Sequence, residues 1–164
     1  MSSWLWPTTA DVGMRIFGRD FGTLLIEAAH GVQSYLMSEA TGRTLNGLLR
    51  HTGEWHVTPE HNPHDHAFLF LAWLDEVLYR AEVHDQWFVD GLLRVEENEH
   101  GMALRAQVDW VNAEEVEREI EIKAVTTHGL VVKEVAKGEV ITSSWEDVPD
   151  FEGPGWYADV VFDI

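Results

Sequence analysis

The sequence predicts an α+β fold, a single-domain layered sheet with two main helices. Two stretches with apolar residues at helical spacing lie in the first half, and apolar–polar alternation of period two dominates the second. The strands gather late instead of alternating with helices, as a parallel α/β sheet would require. With 164 residues, 45% hydrophobic content and 8 Trp, the chain is long enough to bury one core, and one domain over residues 1–164 is expected.

Near the start, "DVGMRIF" reads as a strand. Asp20 or Thr23 then caps a helix in which Phe21, Leu24, Leu25, Ala28, Val32, Tyr35 and Leu36 recur at helical spacing. A second helix begins near Asp65, with Ala67, Phe68, Leu71, Leu74, Leu78 and Ala81 marking one apolar face. Phe70 and Trp73 widen that face, so this helix is expected to be buried on most sides. Beyond it the period changes. "WFVDGLLRV" and "MALRAQVDW" form a hairpin across the polar turn "EENEHG", with Met102, Leu104, Ala106, Val108 and Trp110 facing inward. Further strands are predicted at "IEIKAV", "LVVKEV" and "YADVVFDI", and irregular structure at "LRHTGEWHVTPEHNPHD" and "ITSSWEDVPDFEGPG".

The formal net charge of -18, from 29 acidic and 11 basic residues, sets up a field that repels phosphate backbones and anionic lipid. Broad nucleic-acid binding and membrane binding are thus disfavoured, and a cation or a basic protein partner is favoured. With no cysteine, disulfides, thiolate zinc sites and cysteine nucleophiles are excluded. "MSSWLWPTTADVG" lacks the basic start and apolar run of a secretory signal. No stretch approaches the roughly 20 apolar residues that span a bilayer. A cytoplasmic protein is the expectation.

The densest cluster of potential ligands is "HVTPEHNPHDH", which with His51 gathers five of nine histidines. Imidazoles suit transition metals, but two prolines interrupt the run and no pair holds the i, i+4 spacing of a zinc-hydrolase helix, so a solvated loop is the simpler reading. Gly-rich phosphate cradles and a GxSxG elbow are absent. The acidic run "NAEEVEREIEI" reads as a solvated face.

"TTADVG", "LAWLDEVLYRAEV", "IKAVTTHGLVV" and the terminal "VVFDI" follow one another in that order. Together, over nearly the whole chain, they resemble the archease family. The resemblance implies an α+β fold similar to the core of the redox-regulated heat-shock chaperone, without its thiol switch. It also implies a non-catalytic activator of the tRNA-splicing RNA ligase, promoting the ligase's covalent guanylylation and turnover. The metal site it implies consists of Asp11, Asp163 and the C-terminal carboxylate of Ile164, holding calcium, with magnesium or another divalent ion as alternatives. Hard oxygen ligands agree with that choice. Lys123 is implied in partner activation. Read by alternation alone, Asp163 is a solvent-face residue of a terminal strand, Ile164 turns to the apolar face and anchors it, and Lys123 is a strand-surface charge.

Two departures stand out. Thr8 occupies the position where the family usually has His, and the segment before the last strand is long and acidic with a Trp. Two other functions stand beside the activator. One is a metal-dependent hydrolase, for which the sequence offers no identifiable nucleophile or base. The other is a generic acidic chaperone or interaction module.

Overall fold

The computed structural model describes residues 2–8 and 11–164. Strand β1 (Ser3–Pro7) is followed by β2 (Asp11–Gly18), helix α1 (Phe21–Leu36), a short helix α2 (Glu39–Thr44) and β3 (His51–Val57). Helix α3 (His66–Val83), the hairpin β4 (Gln86–Asn98) and β5 (Gly101–Asn112), then β6 (Ala124–Val135), β7 (Val140–Ile141), β8 (Phe151–Glu152) and β9 (Gly155–Asp163) complete the order. Thr9 and Ala10 of the "TTADVG" motif lie outside the described residues.

Helix α1 starts where the sequence says it should. The Asp20 carboxylate accepts from the Thr23 N–H at 2.7 Å, satisfying one of the orphan donors of the first turn. Phe21, Leu24, Leu25, Ala28, Val32 and Leu36 form its buried stripe. Helix α3 is capped by Asp65, which accepts from Ala67 N–H at 2.9 Å. Its buried face is rotated from the expected one. Leu69, Phe70, Trp73, Leu74, Val77 and Ala81 are buried, whereas Phe68, Leu71 and Leu78 are half-buried. The reason is that α3 packs against α1 and against strands of both larger sheets. Trp73 is central there, and its indole N–H donates to the Leu25 carbonyl of α1 at 2.8 Å.

All strand pairs are antiparallel. One sheet has the order β1-β2-β9-β6, another β3-β5-β4, and β7 pairs with β8. The main core fills the space that α1 and α3 share with the two larger sheets, with Trp55, Trp73, Trp87, Phe70, Phe88 and Phe162 fully buried.

Several strands differ from the sequence expectation. The segment expected to be irregular between the helices contains β3, where Trp55 and Val57 are buried among exposed polar neighbours. Period two is present there but masked by His, Thr and Gly. The β4–β5 hairpin runs further than expected, to Asn98↔Gly101, so the turn shrinks to Glu99 and His100; Gly101 takes φ +133, a backbone that glycine adopts without a steric cost. Inward alternation holds from Met102 to Val108, after which Val111 is buried and Trp110 only half-buried. The two strands expected at "IEIKAV" and "LVVKEV" are one strand, β6, beginning at Ala124. Its register breaks between Thr126↔Val161 and Val131↔Asp159, so residues 127–130 bulge against a single residue of β9.

The face of the four-stranded sheet away from the helices carries a second, smaller cluster of Trp6, Val148 and Val161, with Trp4 and Trp145 against it. Gly13 makes room, because a Cβ there would collide with the Trp6 indole. Trp6 in turn stacks on Trp145 at 4.2 Å. Under this cover sits Arg15, 6% exposed. It faces Asp159 across the β2–β9 register and donates to both its oxygens, Nε to Oδ1 at 2.7 Å and Nη2 to Oδ2 at 2.8 Å. Nη1 donates to the Thr142 carbonyl at 3.1 Å, and the guanidinium lies 5.4 Å from the ring centres of both Trp145 and Tyr157.

Two outcomes are expected. The bond from Thr23 holds the Asp20 carboxyl below its ordinary value of 3.8, so the folded chain binds fewer protons there than the unfolded one. That stabilisation is complete above the ordinary value and is lost as pH falls through the lowered one. Asp20→Ala should cost about 1 kcal/mol at neutral pH, with the difference from the parent vanishing at strongly acid pH in urea titrations. Breaking the buried pair, by Arg15→Met or Asp159→Ala alone, should cost about 3–5 kcal/mol in the same assay, while the double variant Arg15→Met/Asp159→Leu should recover most of it.

Candidate functional site

The register of β2 with β9 sets Asp11 directly opposite Asp163. Both belong to the sheet face away from the helices, since Val12 and Phe162, one position inward, are buried in the main core. Directly opposed residues of an antiparallel pair have Cβ atoms about 4.5–5.5 Å apart, and like charges there are destabilising. Asp11 is half-buried and Asp163 exposed. Neither has an ion-pair partner among the described residues, whereas Asp159, four register positions along, is neutralised by Arg15. Strand β6 closes the other side, with Ala124 opposite Asp163 and the Lys123 N–H donating to the Asp163 carbonyl at 2.8 Å. Lys123 is exposed.

Ile164 differs from expectation. The strand ends at Asp163, and the Ile164 side chain is 39% exposed; it does not anchor the strand in the apolar layer. Among the described residues the last register pairs at this end are Asp11↔Asp163 and Ala124↔Asp163. The Ile164 main-chain carboxylate follows the Asp163 side chain by one residue.

The donor set fits a hard divalent cation. Two carboxylate side chains from strands nine-tenths of the chain apart meet at one sheet end, with a main-chain carboxylate adjacent and no sulfur or imidazole ligand required. Among the described residues, no group of three or more His, Cys, Asp or Glu side chains converges as a metal site.

Thr8 has a local role. Its hydroxyl accepts the Asp11 N–H at 3.0 Å, holding the first residue of β2. Beside it lies a cavity of about 470 Å³ lined by Trp6, Thr8, Asp11, His128, Trp145 and Asp159. His128 comes from the β6 bulge. Sequence reasoning missed Arg15, Asp159 and His128 as neighbours of this edge, although alternation along β2 already set Arg15 on the same face as Asp11.

The histidine cluster does not converge. His51 stacks on Trp110, His56 lies 3.1 Å from Glu54, His64 lies 3.2 Å from Glu97, and His66 meets Phe21 and Trp156. The acidic run is mostly exposed, with Arg118 paired to Glu82 of α3. Among the described residues no helix is long and apolar enough to cross a membrane.

No curated protein matches the chain. The solution structure of Methanobacterium thermoautotrophicum protein 1598 is similar to it, with a TM-score of 0.63 over 99% of both chains at 20% sequence identity. At that identity the likeness speaks for the fold, a mixed α+β arrangement of helices on antiparallel sheets. The family model described as the Archease protein family (MTH1598/TM1083) matches residues 5–164. With the match running over nearly its whole length, the chain belongs to the archease family.

Proposed function

We propose that this protein is a calcium-binding, non-catalytic activator of the tRNA-splicing RNA ligase, acting in the cytoplasm to promote ligase guanylylation and turnover. Family membership supports the general role, a protein cofactor in RNA processing. The observation that carries the finer reading is the opposition of Asp11 and Asp163 at a sheet end, with the Ile164 carboxylate next to it.

Asp11, Asp163 and the Ile164 carboxylate would hold the ion, with magnesium or another divalent cation as substitutes. When bound, the cation supplies positive charge between carboxylates that otherwise repel. Thr8 keeps the Asp11 backbone in place, and the Lys123 N–H holds the Asp163 main chain. The chain's net charge of -18 then favours a basic surface of the ligase over RNA itself. Lys123, exposed beside the carboxylates, is the cation that this edge presents to the partner. Its exposure leaves it free to meet a phosphate or carboxylate there.

Binding to the folded chain alone should raise stability by about 2.7 kcal/mol at roughly 100 times the dissociation constant. Thermal unfolding should therefore shift upward with calcium and return with chelator. Asp11→Ala, or a C-terminal extension that turns the Ile164 carboxylate into a neutral amide, should weaken calcium at least about tenfold in calorimetry. Equal affinity of tagged and untagged protein would remove Ile164 from the site. In a guanylylation assay with a cognate RNA ligase, the protein should stimulate, and Lys123→Ala should reduce stimulation without changing calcium affinity. Absence of stimulation under every metal condition would sink the activator reading.

A further inference from the structure

On the other side of the β6 bulge a cavity of about 540 Å³ opens between α3, the segment after β3 and Thr127. It is separate from the carboxylate edge, whose cavity takes His128 and Gly129 from the same bulge. Phe68, Leu71 and Tyr79 form an apolar floor, and Tyr79 is 49% exposed. Glu60 and Asp75 also line the cavity, together with His56, His61 and Glu76. Asp75 is exposed, but partial desolvation by its neighbours, and then the charge of Glu60, push its carboxyl up to about 6, with no cation acting on it. The guanidinium nearest in sequence, that of Arg80, is engaged by Glu76 at 2.7 Å and lies over the Trp55 ring.

We propose that this groove docks a basic amphipathic segment of a protein partner, a Lys or Arg head between Glu60 and Asp75 and a neighbouring apolar side chain on Phe68, Leu71 and Tyr79. Charge complementarity selects the occupant. A nucleic acid is repelled by the paired carboxylates and by the chain's overall charge. A small cation neutralises the carboxylates but leaves the apolar floor wet. A long basic side chain satisfies both, since its methylene stem covers apolar surface while its head meets the carboxylates. The groove thereby gives the activator reading a chemistry for one partner contact, and it depends on that reading only for the partner's identity.

Titration of the full chain with the peptide acetyl-Leu-Arg-Phe-Arg-amide, followed by NMR, tests the groove without any ligase. Saturable shifts should gather at Glu60, Phe68, Asp75 and Tyr79, and acetyl-Leu-Glu-Phe-Glu-amide should produce none. Asp75→Asn, which removes a charge the fold does not stabilise, should weaken the arginine peptide about fivefold. Tyr79→Ala should also weaken it, and Glu114→Gln, outside the groove, should not. Shifts scattered over the acidic surface, or affinity indifferent to both Asp75→Asn and Tyr79→Ala, would overturn the proposal even if the ligase is stimulated. Localised binding with the stated variant effects upholds it even if the ligase is not.

Discussion

The antiparallel pairing of β2 with β9 is the constraint on which the rest of the molecule depends. These strands are the inner pair of the four-stranded sheet, and their register decides which side chains meet. On one face Val12, Met14 and Ile16 meet the core beside Ala158, Val160 and Phe162. On the other face lie Arg15 with Asp159 and Asp11 with Asp163. A slip of one residue would exchange the two faces and bury charge in the core. The bidentate Arg15–Asp159 pair opposes such a slip, because it would set the buried guanidinium opposite Ala158 or Val160 in place of its carboxylate.

The same register creates a liability at the sheet end. Two carboxylates are brought opposite each other where the aromatic cover of Trp6 and Trp145 gives way to solvent. A sheet under selection for stability alone would replace one of them with a neutral or basic residue. The proposed cation would relieve that repulsion. A few residues away, Arg15 and Asp159 resolve the same problem internally. One face thus holds a closed, self-neutralised pair and an open pair of like charges.

The β6 bulge connects this edge with the rest of the surface. Residues 127–130 depart from the ladder against a single residue of β9, sending Thr127 toward α3 and His128 with Gly129 toward the carboxylate edge. A regular strand would leave these residues on alternating faces of the sheet. Bulges re-aim side chains in this way, and here one bulge borders two cavities of different character.

Local periodicity determined much of this protein from sequence alone. Asp20 and Asp65 cap helices because short carboxylates reach the next N–H groups wherever the chain turns helical. The strands around Met102–Val108 and Tyr157–Asp163 follow from alternation. The family, and with it the expectation that Asp11, Asp163, Ile164 and Lys123 act together, was legible in ordered motifs. Tertiary structure decided the rest. Helix α3 turned Phe70 and Trp73 to its centre because it is packed from several sides, and β3 formed within a polar stretch because β5 offered it an edge. Ile164 is 39% exposed, lying past the last register pairs among the described residues. The meeting of Asp11 with Asp163 and of Arg15 with Asp159 is a property of strand register. Register is set by long-range pairing and burial, which a local pattern does not contain.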